Sequence, residues 1–361
     1  MMLTLKEISE YLSLPVDGDE TILISGPAEP KNASKNQLAL AMDDKFLGDI
    51  KLGNAKTALL LEGSDWKSLN LEGALFVKRS RYAVAQVNNL FEEHVVEWIG
   101  VHDNAIVSKT AKLATNVSIG PFSLINSEVE IKKNAKIGSH VFIGKGVSIG
   151  ENAIIHSGVK IGPNVVIGDN LICHPNAVIG ADGFSFVSPD GGGVEEARKR
   201  GHLLGVGQIN HYVRIASLGS VIVGDDVEIG AGSIIDKGTI GTTRVGNGTK
   251  LDNLVHIGHN VSIGDNCLLC GQVGIAGSAV IGDRVVLGGQ VGVADHISIG
   301  CDSIVAGKSG VSSNVPKGQF MMGNPAMKMK NNIESYKLFR RLPTLIKKIQ
   351  NLEQVILKKD D

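Results

Sequence analysis

Two imidazoles stand close together in the stretch LDNLVHIGHNVSIG, at His256 and His259, and a third follows at His296. Imidazole titrates near neutral pH, which suits it to take a proton from a nucleophile and hand it to a leaving group. It also ligates metals, so His256 and His259 could be two ligands of a zinc shared between subunits. Cys267 and Cys270 form a lone C-x-x-C. That spacing serves zinc or thiol chemistry when a second pair or a redox fold accompanies it, and no second pair follows here. The four cysteines, Cys173, Cys267, Cys270 and Cys301, read as small structural filler. No Ser or Cys has the neighbours of an activated nucleophile. The chemistry on offer is acid–base work, with no metal or cofactor expected.

The histidines must be held by a repeat. Every sixth residue from Val101 to Ile179 is aliphatic except Cys173. The phase then breaks, reappears at Val223, Ile229 and Ile235, slips again, and runs from Val245 to Val311. A six-residue period fits neither an α-helix nor a hairpin sheet and is the mark of a parallel β-helix. Position 1 of the hexad is the large aliphatic. Position 5 is usually Val or Ala, as at Val117, Val129, Ala135 and Val141. Those two positions lie two apart and point inward along a strand. Position 2 is often Gly, expected there for corner geometry. If three hexads make a coil, coils stack at roughly 4.8 Å. His256 holds position 6, His259 position 3 and His296 position 4, so all three face outward. His140, His156 and His174 take similar places, and the plain reading of any outward residue is a solvated corner.

The flanks break the period. Residues 1–100 contain an amphipathic stretch, TLKEISEYLSL, and strand-like runs, TALLLEG and GALFVKR, which read as a small α/β domain. Residues 101–322 form the β-helix, interrupted at about 185–220 by a glycine-rich, charged excursion. Solenoid insertions often border the binding face. Residues 323–361 form a helical tail in which Leu338, Leu342, Leu345, Ile349, Leu352 and Ile356 make an a/d seam. Self-association would bury that seam, with Pro343 a point of kinking or capping. Arg340, Arg341, Lys347, Lys348, Lys358 and Lys359 make the tail basic. A solvated polar face is the default reading; an acidic docking partner is the functional one.

Composition narrows the classes. With 361 residues, 45 glycines, 4% aromatics and a net charge of -1, the chain lacks the basic balance of a nucleic-acid binder. No apolar run reaches the length of a membrane span, and the first residues do not form a signal peptide. A soluble, cytoplasmic protein is expected.

The hexads together with ADGFSF (181–186), DDVEIGAGSIIDKGTI (225–240), LDNLVHIGHNVSIGDN (251–266) and GNPA (323–326) resemble the UDP-3-O-acylglucosamine N-acyltransferase family of lipid A biosynthesis. The resemblance covers nearly the whole chain. It implies a mainly β protein built on a left-handed parallel β-helix, a homotrimer, a UDP-sugar acceptor and an acyl carrier protein as acyl donor. It makes the first domain the uridine-binding one. By matching positions it implies His259, in Ile257-Gly258-His259-Asn260, as the general base, and His296 as a second catalytic residue. Asp252 and Asn253 match the sugar-site pair, and Gly277 matches a glycine whose backbone approaches the acyl carbonyl. His256 stands where close relatives carry Gln. The uridine stretch of the family, Phe-x-x-Asn-Pro-Lys-Tyr, aligns with Leu40 to Phe46, so Asp43, Lys45 and Phe46 take its roles with one aromatic ring and one hydroxyl fewer.

The implied reaction is attack of a sugar amine on a thioester carbonyl. His259 would take the amine proton, the Gly277 N–H would face the oxyanion, and His296 would steady the intermediate or the carrier's arm. Two coils and one residue separate the histidines, roughly 10 Å along the axis, too far for a relay. Other readings remain at this point: an acetyl-CoA-dependent acetyltransferase on a nucleotide sugar, the shared zinc site, and a structural or ice-binding solenoid. The last wants a regular outward array, which the irregular outward positions here do not supply.

Overall fold

The structure, a computed structural model, describes residues 2–92, 98–189, 201, 211–324 and 327–357. Most of the excursion, at 190–200 and 202–210, lies outside the described residues, as do 325–326 of GNPA and the tail lysines Lys358 and Lys359. The chain divides into two compact units, Met1–Val95 and Val96–Asp361.

In the first unit the amphipathic stretch becomes the helix Leu5–Leu12, closed at its start by a capping box. The Thr4 hydroxyl accepts from the Glu7 N–H at 3.2 Å, and Glu7 Oε2 accepts from the Thr4 N–H at 2.7 Å, so two end groups of the chain are satisfied at once. The two strand-like runs are Thr57–Leu61 and Gly73–Val77. They lie in a five-stranded sheet whose members are parallel except for the edge strand Val16–Gly18. Alternation along these strands feeds two cores. Leu38, Leu59 and Leu75 pack with Leu5, Ile8 and Val87 on one side. Ala39, Ala58, Leu60 and Ala74 pack with Ile50 on the other.

The second unit is a parallel β-solenoid with sheets of ten, ten and nine strands. Each strand is two residues of a hexad, and in the regular coils it pairs with the strand 18 residues on, as in Ser118↔Lys136 and Ile119↔Ile137. One coil is therefore three hexads. Positions 1 and 5 fill the interior, with Ile119, Ile125, Ile137 and Ile143 fully buried. Where position 5 is a hydroxyl, it is also buried and bridges to the next coil. Ser123 donates to the Gly138 carbonyl at 2.8 Å and accepts from the Val141 N–H at 3.0 Å. Thr249 does the same with Gly264 and Cys267. Both capacities are used, which removes the penalty of an orphaned buried polar group.

The corners differ from the sequence expectation. The left-handed backbone sits at position 4, not position 2: Asn134, Asn152, Asn164 and Asn170 have φ between 57° and 61°. Asparagine tolerates that conformation better than most residues. At one corner the side chains also form a ladder, Asn134 to Asn152 and Asn152 to Asn170, each at 3.0 Å. Glycine at position 2 answers a different need, the close approach of the coil above. A Cβ on Gly150 would meet the Gly168 carbonyl oxygen at 2.3 Å.

The repeat is broken twice. The excursion separates Ile167 from its partner Val223, a pairing 56 residues apart on that corner. The next coil is longer, with Val223↔Val245 and Ile235↔Ile257 at a spacing of 22. Its extra residues fall in a bulge at 236–241; beside its start the strand Val178–Ala181 of the coil below shifts register between Ile179 and Ala181, so that Ala181 pairs with Asp236. Backbone bonds stitch bulge to excursion: Lys237 N–H to Ala181, Leu218 N–H to Thr239, Gly219 N–H to Gly238.

The tail is one helix, Met329–Leu357, and it continues through Pro343. Leu338, Leu342, Leu345, Ile349 and Leu352 are all exposed on it. Among the described residues no helix is long and apolar enough to cross a membrane.

Candidate active site

Both breaks open onto one outer face. The strands His256–Ile257, Gly274–Ile275, Gly292–Val293 and Gly310–Val311 are successive rungs of one sheet. Their outward residues are His256 and then three glycines, at which a Cβ would meet nothing within 4 Å. The result is an open groove of about 720 Å³ floored by backbone, with Asp236, His256, His259, Gly277 and Phe184 among its lining. Phe184 belongs to the ADGFSF segment and is 86% exposed, its ring 5.0 Å from that of Phe186.

His259 is half-buried at the groove and boxed by glycines. A Cβ on Gly277 would lie 2.7 Å from its Nε2, and a Cβ on Gly183 would lie 2.8 Å from its Cβ. Its other nitrogen is committed. Nδ1 is 3.1 Å from Asn260 Oδ1, with the Thr239 hydroxyl at 3.5 Å. The Thr239 N–H, 3.0 Å away, also needs that Asn260 atom to be an oxygen. An oxygen there accepts, so Nδ1 carries the hydrogen and Nε2 keeps its lone pair. Asn260 is itself fixed, with φ of 61° and its N–H donated to buried Thr243 Oγ1 at 2.9 Å. The bulge thus supplies Thr239, and the regular coil supplies His259 and Asn260.

Gly183 is held in turn by the roots of the excursion. Its N–H donates to buried Ser217 Oγ at 3.0 Å. The neighbouring Asp182 pairs with Arg214 and, at 2.8 Å, with Lys237. The hydrogen bond from Lys237, followed by that from Arg214, holds the Asp182 carboxyl below its ordinary range.

Sequence reasoning did not single out Asp236. Its side chain is 6% exposed, and Oδ2 lies 3.4 Å from His256 Nε2. The hydrogen bond to Asp236 raises the His256 pKa, against the opposing effect of burial and with help from the carboxylate's charge. The available signal was an acid within the DKGTI run on the coil below His256, visible only once the longer coil is known.

Other expected site residues are not in the groove lining. His296 is exposed at a corner with φ of 58°, and its N–H donates to the Gly277 carbonyl at 3.2 Å; it is not part of the groove lining. Asp252 and Asn253 lie at the preceding corner, after the strand Lys250–Leu251. Asn253 Oδ1 accepts from the Ala231 N–H at 2.7 Å, and Asp252 Oδ1 from the Asn253 N–H at 2.7 Å. In the first unit, Asp43 caps the short helix Asp44–Leu47. Lys45 Nζ is 3.0 Å from its carboxylate and 4.7 Å from the Phe46 ring centroid. Hydrogen bonds from the Lys45 side chain and backbone hold the Asp43 carboxyl low. Cys267 is buried inside the coil, where burial raises its thiol pKa. Among the described residues no cluster of His, Cys, Asp and Glu could hold a metal ion.

Residues 242–277 match the family described as Bacterial transferase hexapeptide (six repeats). The UDP-3-O-acylglucosamine N-acyltransferase of Ruegeria pomeroyi is 48% identical over 358 residues, 99% of each chain. The protein of that name from Syntrophotalea carbinolica is 45% identical over 98% of this chain and 97% of its own. The chain belongs to the UDP-3-O-acylglucosamine N-acyltransferase family. It is thus an acyltransferase. Among solved structures, the Arabidopsis UDP-N-acetylglucosamine acyltransferase overlays with a TM-score of 0.51 at 22% identity, over 62% of this chain and 70% of that one. At that identity the likeness speaks for the solenoid fold.

Proposed function

We propose that the protein moves an acyl chain from acyl carrier protein to the 2-amino group of a UDP-3-O- or 3-N-acylglucosamine, with His259 as general base. The observation that carries the mechanism is the commitment of His259 Nδ1 to Asn260, which leaves Nε2 as a proton acceptor on the groove side. The amine nitrogen attacks the thioester carbon while Nε2 takes its proton. The oxyanion of the tetrahedral adduct is met by the Gly277 backbone N–H, the kind of preorganised donor such sites use. Collapse expels the thiolate, which recovers the proton from Nε2, giving an amide and a free thiol. The thioester is already activated, so no covalent acyl-enzyme is required.

The rest of the reading follows the family. Asp43, Lys45 and Phe46 hold the uridine, Phe46 offering the one stacking ring. Asp252 and Asn253 serve the sugar, and His296 the carrier's arm. The coil is left-handed and the protein a cytoplasmic homotrimer, whose neighbouring protomer closes the open groove. The exposed leucine seam of the tail helix supports self-association, because a lone helix leaves such a stripe in water. Its Arg340, Arg341, Lys347 and Lys348 suit an acidic carrier protein. No cofactor takes part.

The test is turnover of acyl carrier protein thioesters by wild type and His259→Ala, with coenzyme A thioesters in parallel. Loss of the base is expected to lower kcat/KM by about 10²–10⁴. Undiminished turnover by the variant would remove His259 from the mechanism, and equal use of coenzyme A thioesters would favour the acetyltransferase reading.

A further inference from the structure

Two segments outside the hexad phase meet at His259, and each must be held against it. Gly183, on the outgoing limb of the excursion, backs the side chain: a Cβ there would lie 2.8 Å from His259 Cβ and 3.1 Å from Cδ2. Thr239, on the bulge, sets the other side, with its hydroxyl 3.5 Å from Nδ1 and its N–H 3.0 Å from Asn260 Oδ1. One carboxylate ties the two segments together. Asp182, next to Gly183, accepts at 2.8 Å from Nζ of Lys237, which lies two residues before Thr239. The same carboxylate pairs with Arg214 on the returning limb, where Phe186 stands opposite Arg214 and Val187 opposite Val213. Lys237 is the withdrawn member, its side chain 16% exposed, whereas Asp182 and Arg214 are half-exposed. An ammonium so far removed from water persists only with a partner.

We propose that Asp182 is a positioning residue for acyl transfer: by joining Lys237 to Arg214 it locks the excursion against the bulge and so holds His259 in its proton-accepting pose. The inference rests on the reading of His259 as general base. Asp182 is not part of the groove lining, so it acts through the residues it fixes rather than on substrate. The backbone alone does not make the lock. Lys237 N–H to Ala181, Leu218 N–H to Thr239 and Gly219 N–H to Gly238 bring the segments together, but each sits in a stretch without the regular pairing that stiffens the other coils. The three charges supply the missing stiffness. They also make the lock asymmetric. Removing Asp182 strands the Lys237 ammonium, which must swing toward water and draw the bulge with it. Removing the Lys237 charge leaves Asp182 with Arg214 and disturbs less.

The experiment measures kcat and KM of the full-length protein, followed by thiol release from an acyl carrier protein thioester, in a mutant cycle with His259→Ala. Asp182→Asn is expected to lower kcat by about 10–10²-fold with KM changed little, the scale of a misplaced base. Lys237→Met should lose less, and Lys237→Arg should restore much of that loss. Asp182→Asn combined with Lys237→Met should be no slower than Asp182→Asn alone, because the stranded charge is gone. In the His259→Ala background Asp182→Asn should cost almost nothing further, since a residue acting through the base has nothing left to position. If Asp182→Asn melts below the assay temperature, Lys237→Met and Lys237→Arg carry the same cycle. Unchanged kcat in Asp182→Asn, or the same fold loss with and without His259, would overturn the proposal while leaving His259 as the base. Undiminished turnover by His259→Ala would overturn both.

Discussion

The coils from Ile119 to Ile179 and those from Ile235 to Ile275 use the same hexad, yet they perform different work. In the first stretch the rungs stack 18 residues apart and one corner is an asparagine ladder. In the second, the excursion and the longer coil push Gly183, Asp236 and Thr239 out of the repeat and against His256 and His259. The regular coils supply a stiff frame and the faults supply the chemistry. A smooth prism has no concavity, so a solenoid must depart from its own repeat to build a pocket.

Substitutions in the two regions should therefore fail differently. Ile137→Ala removes a fully buried side chain in the regular stretch. It should cost about 2–5 kcal/mol of stability in thermal or denaturant melts, leaving activity per folded molecule unchanged. Gly277→Ala should do the reverse. Its Cβ would lie 2.7 Å from His259 Nε2, and a displaced base costs about 10²-fold in kcat/KM with little change in melting. Asn260→Ala removes the acceptor that fixes Nδ1 and should lower kcat by up to about tenfold, the scale of one hydrogen bond. Equal losses of stability and activity at all three positions would erase the contrast between frame and site.

The smallest expected effect is one of pH. The folded pKa of His256 is raised by Asp236, so its stabilising contribution is complete below the ordinary imidazole value. That contribution is lost as pH rises through the raised one. Because the ring is half exposed, the amplitude should be below about 1 kcal/mol. Melting temperatures measured across that window should show the slope in wild type and not in Asp236→Asn.

Much of the frame was legible in the sequence, since inward positions repeat and must be aliphatic. Val129, Ile131, Ala135 and Ile137 were assigned to the interior by period alone, and all are buried. Period does not report why a small residue is small, however. Glycine at position 2 was read as a corner residue and proves to be a contact residue, because stacking distance is invisible along the chain. Handedness is likewise silent in a period and came only with the family resemblance. His256 and His259 were named from residue type, Asn260 and Gly277 only through the family resemblance, and His259, Asn260 and Gly277 do converge. Asp236 escaped because its partner lies on the next coil, across a coil of irregular length. Phe184, Thr239 and Gly183 escaped because irregular segments carry no phase from which to place them.

The central claim is that the faulted coils fix His259 with its Nδ1 protonated and its Nε2 free. Nitrogen-15 NMR of the histidine side chains in the intact protein, with the His259 signals assigned by their disappearance in His259→Gln, tests this directly. In the neutral form the account expects a protonated, hydrogen-bonded Nδ1 and an unprotonated Nε2, and the opposite tautomer in Asn260→Ala becomes accessible. A His259 that holds its proton on Nε2 in the wild-type protein would contradict it.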